Sequence, residues 1–148
     1  MLTRFYHYSN ILNISLESAI TRCSQAVPFS LTIYTYAVYS HPQIASVGLT
    51  EENAAKDHDI IVGKTKYSDV AKGEAMMEKE GFAKAIAEKG SDTILGFHII
   101  GPYTSELIQE VVNAMTSGGK TEEINQGIHI HPALSELIPT TVNSVGES

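Results

Sequence analysis

Residues 81–100 read GFAKAIAEKGSDTILGFHII, and this stretch holds two strands and the turn between them. Gly81 and Phe82 open an extended run to about Glu88, and Lys89-Gly90-Ser91-Asp92 supplies the small and polar residues of a hairpin loop. The chain then returns over residues 93–100. That second strand carries Ile94, Leu95, Phe97, Ile99 and Ile100, so both of its faces are apolar. A strand with two apolar faces belongs in the middle of a sheet.

Upstream, residues 34–39 are rich in β-favouring side chains and stop at Ser40-His41-Pro42, residues 44–49 make a second strand, and residues 59–67 a third. Thr50 is placed to cap a short helix to about Lys56, with Glu51 and Glu52 at the positive end of its dipole. Residues 71–79 read either as a helix built on Ala75, Met76 and Met77, weakened by Gly73, or as an irregular turn.

Downstream, Pro102 and Thr104 introduce the best helix of the chain. Its Leu107, Ile108, Val111, Val112 and Met115 form one stripe, and Gly118-Gly119 ends it. Thr121 is placed to cap another short helix, residues 127–130 make an extended link, and Pro132 stands where a first helical residue is often found. In the last helix Leu134, Leu137, Ile138, Thr141, Val142 and Val145 share a face, which sends Glu136 to the opposite side. Pro139 predicts a kink there, or two short segments end to end. Strands in hairpin-like succession with helices grouped among and after them predict an α+β domain, a mainly antiparallel sheet with helices packed on it.

With 148 residues, 43% of them hydrophobic and 18% charged, the chain fits one soluble domain with its own core and is short for two. That domain is expected over residues 34–148. Residues 1–33 differ in character: Ile11, Leu12, Ile14, Leu16, Ala19 and Ile20 are spaced for either a helix or a strand, and Pro28 closes the stretch. Seventeen acidic residues against ten basic ones leave a net charge of −7 with no basic cluster, which excludes nucleic acid as a partner. No run approaches the roughly 18 apolar residues of a spanning helix, and MLTRFYHYSN has no apolar core of the signal-peptide type, so a cytoplasmic protein without a membrane partner is expected. Cys23, the single cysteine, excludes an internal disulfide, a paired-cysteine zinc site and a redox pair within one chain, and reads as an inert thiol. Neither a G-x-G-x-x-G nor a G-x-x-x-x-G-K-[ST] phosphate loop is present.

The residues with most chemistry are His129-Ile130-His131-Pro132-Ala133-Leu134-Ser135-Glu136. A histidine at a helix entrance and a carboxylate in the first turn are within hydrogen-bonding reach of each other. An ionised Glu136 would orient the His131 imidazole and stabilise its protonated form, as a general acid–base histidine requires. The plainer reading makes them an entrance histidine and a solvated helix carboxylate. His129 and His131, with His98 or His41, also offer a metal-binding reading, although no cysteine or carboxylate supplies an obvious remaining ligand. His98, on an apolar strand, reads as a hydrogen-bonded core or interface histidine, and Met76, Met77 and Met115 read as packing.

Several segments together carry a family resemblance: AVYSHPQIASVGLTE at residues 37–51, GFAK at 81–84, ILGFHIIGP at 94–102, SELI at 105–108, and the motif from His131 to Glu136. In that order the chain resembles the C-terminal dimerisation domain of the FAD/NAD-linked disulfide oxidoreductases, most nearly the dihydrolipoamide dehydrogenase branch. The resemblance implies a homodimer in which His131 and Glu136 reach the partner's active site, where a cysteine pair stacks against FAD. His131 would exchange a proton with the substrate thiol and Glu136 would orient it. Full-length members carry an FAD domain with a Cys-x4-Cys disulfide and an NAD domain, and neither is recognisable here. The chain is therefore expected to bind no cofactor itself, to be inactive alone, and to depend on FAD and NAD domains of a parent reductase. The alternative is a non-enzymatic interaction protein that caps or regulates a full-length reductase through the same dimer surface.

Overall fold

The computed structural model describes residues 33–146. The readings placed on residues 11–20 and on Cys23 lie outside the described residues. Five strands form one sheet: β1 (Thr35–Val38), β2 (Gln43–Gly48), β3 (Ile60–Lys66), β4 (Phe82–Glu88) and β5 (Ile94–Gly101), in the order β1-β2-β5-β4-β3. Every neighbouring pair is antiparallel. The α+β class is borne out, and β5 is the middle strand, as its two apolar faces require.

The register shows which face is the core. Ala45, Ile99, Ala83 and Thr65 lie in one row across the sheet, and Val47, Phe97, Ala85 and Gly63 in the next on the same face. Seven of these are buried side chains, and two helices cover them: α3 (Thr104–Ser117) packs on β2 and β5, and α5 (Leu137–Asn143) on β3 and β4. Helix α3 is seated by Ile108, Val111 and Ala114, and α5 by Leu137, Ile138 and Val142. Gly63 lets α5 approach so closely, since a Cβ there would stand 2.6 Å from the Thr141 carbonyl oxygen.

On the other face Lys64, Lys84, His98 and Ser46 form one row, and Lys66, Phe82, Ile100 and Ile44 the next. Helix α1 (Glu51–Asp57) covers one end of it, tied down by Lys84 Nζ to Glu51 Oε2 at 3.0 Å. Thr50 caps α1 as expected, its hydroxyl oxygen accepting the Asn53 N–H at 3.3 Å.

Some local expectations fail. Helix α2 spans only Ala71–Ala75, after a 3-10 turn at Tyr67–Asp69, and the chain leaves it through Met77 at φ 56°. Met76 and Met77 are exposed rather than packed, while Met115 packs against the core as expected. Thr121 is the first residue of α4 (Thr121–Asn125), not its cap; Lys120 precedes it with no capping side-chain bond. Pro132 is not a first helical residue either. The His131–Pro132 bond is cis and the helical turn begins only at Leu134, as a 3-10 turn over Leu134–Glu136 that continues into α5. Pro139 fits this pairing of short segments: without an N–H it cannot bond back to the Ser135 carbonyl, so the 3-10 turn and α5 meet without that hydrogen bond.

Tyr67, read from the sequence as a strand end, is fully buried. Its hydroxyl donates to the Pro102 carbonyl at 2.7 Å, and burial, with a smaller contribution from the Glu78 charge, pushes its pKa up. Among the described residues no helix is long and apolar enough to cross a membrane.

Candidate active site

The buried face of α5 fixes the turn ahead of it, and in that turn the Glu136 side chain is 23% exposed. Its Oε2 accepts the Ala133 backbone N–H at 2.9 Å, and its Oε1 accepts from His131 Nδ1 at 2.8 Å. Both bonds favour the ionised carboxylate, first that from Ala133 and then that from His131, and the Glu136 pKa is lowered accordingly. An ionised carboxylate only accepts, so the bond needs a hydrogen on His131 Nδ1, and the neutral ring with that hydrogen has its lone pair on Nε2. Among the described residues no hydrogen bond holds Nε2, and the His131 side chain is 69% exposed. This nitrogen is free to take a proton from an incoming group.

The lowered pKa has a testable sign. Because folding lowers it, ionised Glu136 contributes stability that is complete above the ordinary carboxylate range and fades as pH falls through its lower folded value. Glu136→Gln should therefore flatten the acid limb of the stability curve below that range while leaving the shape of the neutral region intact. Urea melts taken at successive pH values would show this, and an unchanged acid limb would refute the assignment.

The histidines proposed as metal ligands are not brought together as one site. His129 Nε2 meets Glu110 Oε1 of α3 at 2.6 Å, and His131 is bound to Glu136. His98 Nε2 donates to the Leu49 carbonyl at 3.1 Å while its Nδ1 accepts from the Ser46 hydroxyl, and burial first of all lowers its pKa. His98 is thus the hydrogen-bonded sheet histidine expected of it. Among the described residues no group of three or more His, Cys, Asp or Glu side chains is placed to hold a metal ion.

Glu110 was missed by sequence reading, since nothing local links it to a histidine 19 residues on. So was the cluster at the far hairpin, where His58 Nδ1 meets Glu88 Oε1 at 2.9 Å and Ser91 Oγ donates to Glu88 Oε2 at 2.7 Å. Its members come from the end of α1, the end of β4 and the turn that follows, and the bonds close the β4–β5 hairpin against the end of α1.

Comparison with known proteins gives one family. The family described as pyridine nucleotide-disulphide oxidoreductase, dimerisation domain, matches residues 34–142. Dihydrolipoyl dehydrogenase of Bacillus subtilis is 39% identical over 112 residues, which are 75% of this chain and 24% of that protein. Mycothione reductase of Mycobacterium tuberculosis is 48% identical over 104 residues, 69% of this chain and 23% of that one. Among solved structures, the HOCl-induced flavoprotein disulfide reductase of Escherichia coli superposes with a TM-score of 0.70 at 26% identity, over 76% of this chain and 26% of its own. The chain spans about a quarter of the length of the relatives it matches.

Proposed function

The chain belongs to the pyridine nucleotide-disulphide oxidoreductase family, as its dimerisation domain, and on that premise we propose that it pairs with a second subunit and supplies His131 and Glu136 to the flavin and disulfide site of that subunit. The observation that carries this reading is the 2.8 Å bond from His131 Nδ1 to Glu136, which leaves Nε2 free on a side chain that is 69% exposed. A substrate thiol that meets Nε2 gives up its proton there. The imidazolium formed is stabilised by Glu136, and the thiolate released is the form that attacks a disulfide sulfur. In the reverse direction the same nitrogen returns the proton to a departing thiolate.

The FAD and NAD of the family are not held by this chain's described residues in the proposal. The longest helix, α3, opens at Tyr103 in a left-handed conformation followed by the fully buried Thr104, and no glycine-rich loop precedes it to receive a pyrophosphate. The proton transfer above needs none of the described residues to touch a dinucleotide.

The test is a chimera in which residues 34–148 replace the matching domain of the Bacillus subtilis dihydrolipoyl dehydrogenase. The expected result is a flavin-loaded dimer by light scattering with NADH-linked lipoamide reductase activity. A flavin-loaded chimera that stays monomeric, or a dimer without that activity, overturns the reading.

A further inference from the structure

Beyond the His131–Glu136 pair there is a second imidazole–carboxylate contact on the same segment. His129 Nε2 and Glu110 Oε1 stand 2.6 Å apart, at the short end of charge-assisted hydrogen bonds. The two partners differ in their anchoring. Glu110 lies on α3, a 14-residue helix held to the sheet by Ile108, Val111 and Ala114. His129 lies on the extended link, where Ile128 is fully exposed and Ile130 largely so. Of these three residues only His129 turns inward, with 16% of its side chain exposed.

His131, two residues on, has little packing of its own. After it, the chain is fixed by the two bonds that Glu136 makes, to Ala133 and to His131 itself. Before it, the inward anchor is His129 on Glu110. His129 is also near enough to Glu136 for its charge to favour that carboxylate, so the two pairs share one local field.

We propose that Glu110 and His129 are a positioning pair that tethers the link to α3 and thereby sets where the His131 imidazole stands. The proposal rests on the reading of His131 and Glu136 as the proton-handling pair. Neither Glu110 nor His129 is assigned contact with a substrate; they act through His131.

The experiment uses the full chain labelled with 15N. Long-range 1H–15N correlation spectra report the His131 tautomer, and backbone relaxation reports order over residues 128–131. In the wild type His131 is expected mainly as the Nδ1–H form. Glu110→Ala, a change to the best helix former at a half-buried position, should shift His131 towards the Nε2–H form and drop the order parameters at 128–131 below about 0.6. Glu110→Gln keeps an acceptor oxygen and should restore most of both signals. His129→Ala should reproduce Glu110→Ala, with no further loss in the double variant, as two halves of one contact require.

A lowered melting temperature in both alanine variants with the His131 tautomer and the order parameters unmoved would show a merely structural contact and overturn the proposal. The underlying reading has its own readout. If wild-type His131 shows no Nδ1–H preference and Glu136→Gln leaves its spectrum unchanged, that reading fails and the positioning role falls with it. If Glu136→Gln alters His131 while the Glu110 and His129 variants do not, only the positioning role fails.

Discussion

His131→Gln in the lipoamide dehydrogenase chimera should lower turnover by about 10²- to 10⁴-fold, the range in which a positioned general acid–base group contributes. Glutamine cannot take the proton that the free Nε2 is proposed to accept. Most of the loss should fall in kcat, because the interaction removed is made as the proton moves rather than when substrate binds. Glu136→Gln should cost less. It exchanges a charge-assisted bond at Nδ1 for a neutral one, which should cost roughly tenfold in rate. Stability should hardly respond to His131→Gln, since the ring is 69% exposed, and thermal melts provide that control. Turnover by the His131→Gln chimera equal to that of its parent would mean the pair is not used, and the chain would then serve its partner by contact alone.

What could be read from the sequence was what is local. Runs of β-favouring residues bounded by turn residues placed the five strands of the described residues, and a period-3.6 stripe placed the long helix, because propensity and helical periodicity are both fixed within a few residues. The central place of β5 followed from its own side chains. His131 and Glu136 were found because five residues and one turn bring them together. The misses share a cause. The end of α2 at Ala75 and the start of the last helical turn at Leu134 were set by tertiary packing and backbone conformation that no short window contains. Tyr67 is a core residue through partners far along the chain, among them the Pro102 carbonyl, 35 positions on, which accepts its hydroxyl. Glu110 meets His129 only because α3 and the link run beside each other in the fold. A long-range contact leaves no periodic trace in either of its segments.

The largest stability effect is expected at Phe97. This side chain is fully buried on the helix-covered face of the central strand, between Val47 and Ala85 in the register and in one apolar cluster with Ile108 and Val111. Its neighbour Ala85 is too small to reach into the space a lost ring would leave, so Phe97→Ala should cost about 3–5 kcal/mol. For a domain whose whole stability is about 5–15 kcal/mol, that is a large part of it. Urea unfolding should show it as a lower midpoint at unchanged slope. Phe82 provides the contrast, one strand away on the opposite face, partly exposed, with Lys64 Nζ 3.9 Å above its ring centroid. Removing that ring forfeits about 0.5–1 kcal/mol of cation–π attraction plus some burial, and opens no closed cavity. Phe82→Ala should therefore be much the milder change. Equal losses at the two positions would mean that the outer face is packed as tightly as the inner one. In that case the division of the sheet into a core face under α3 and α5 and a more open outer face would be wrong.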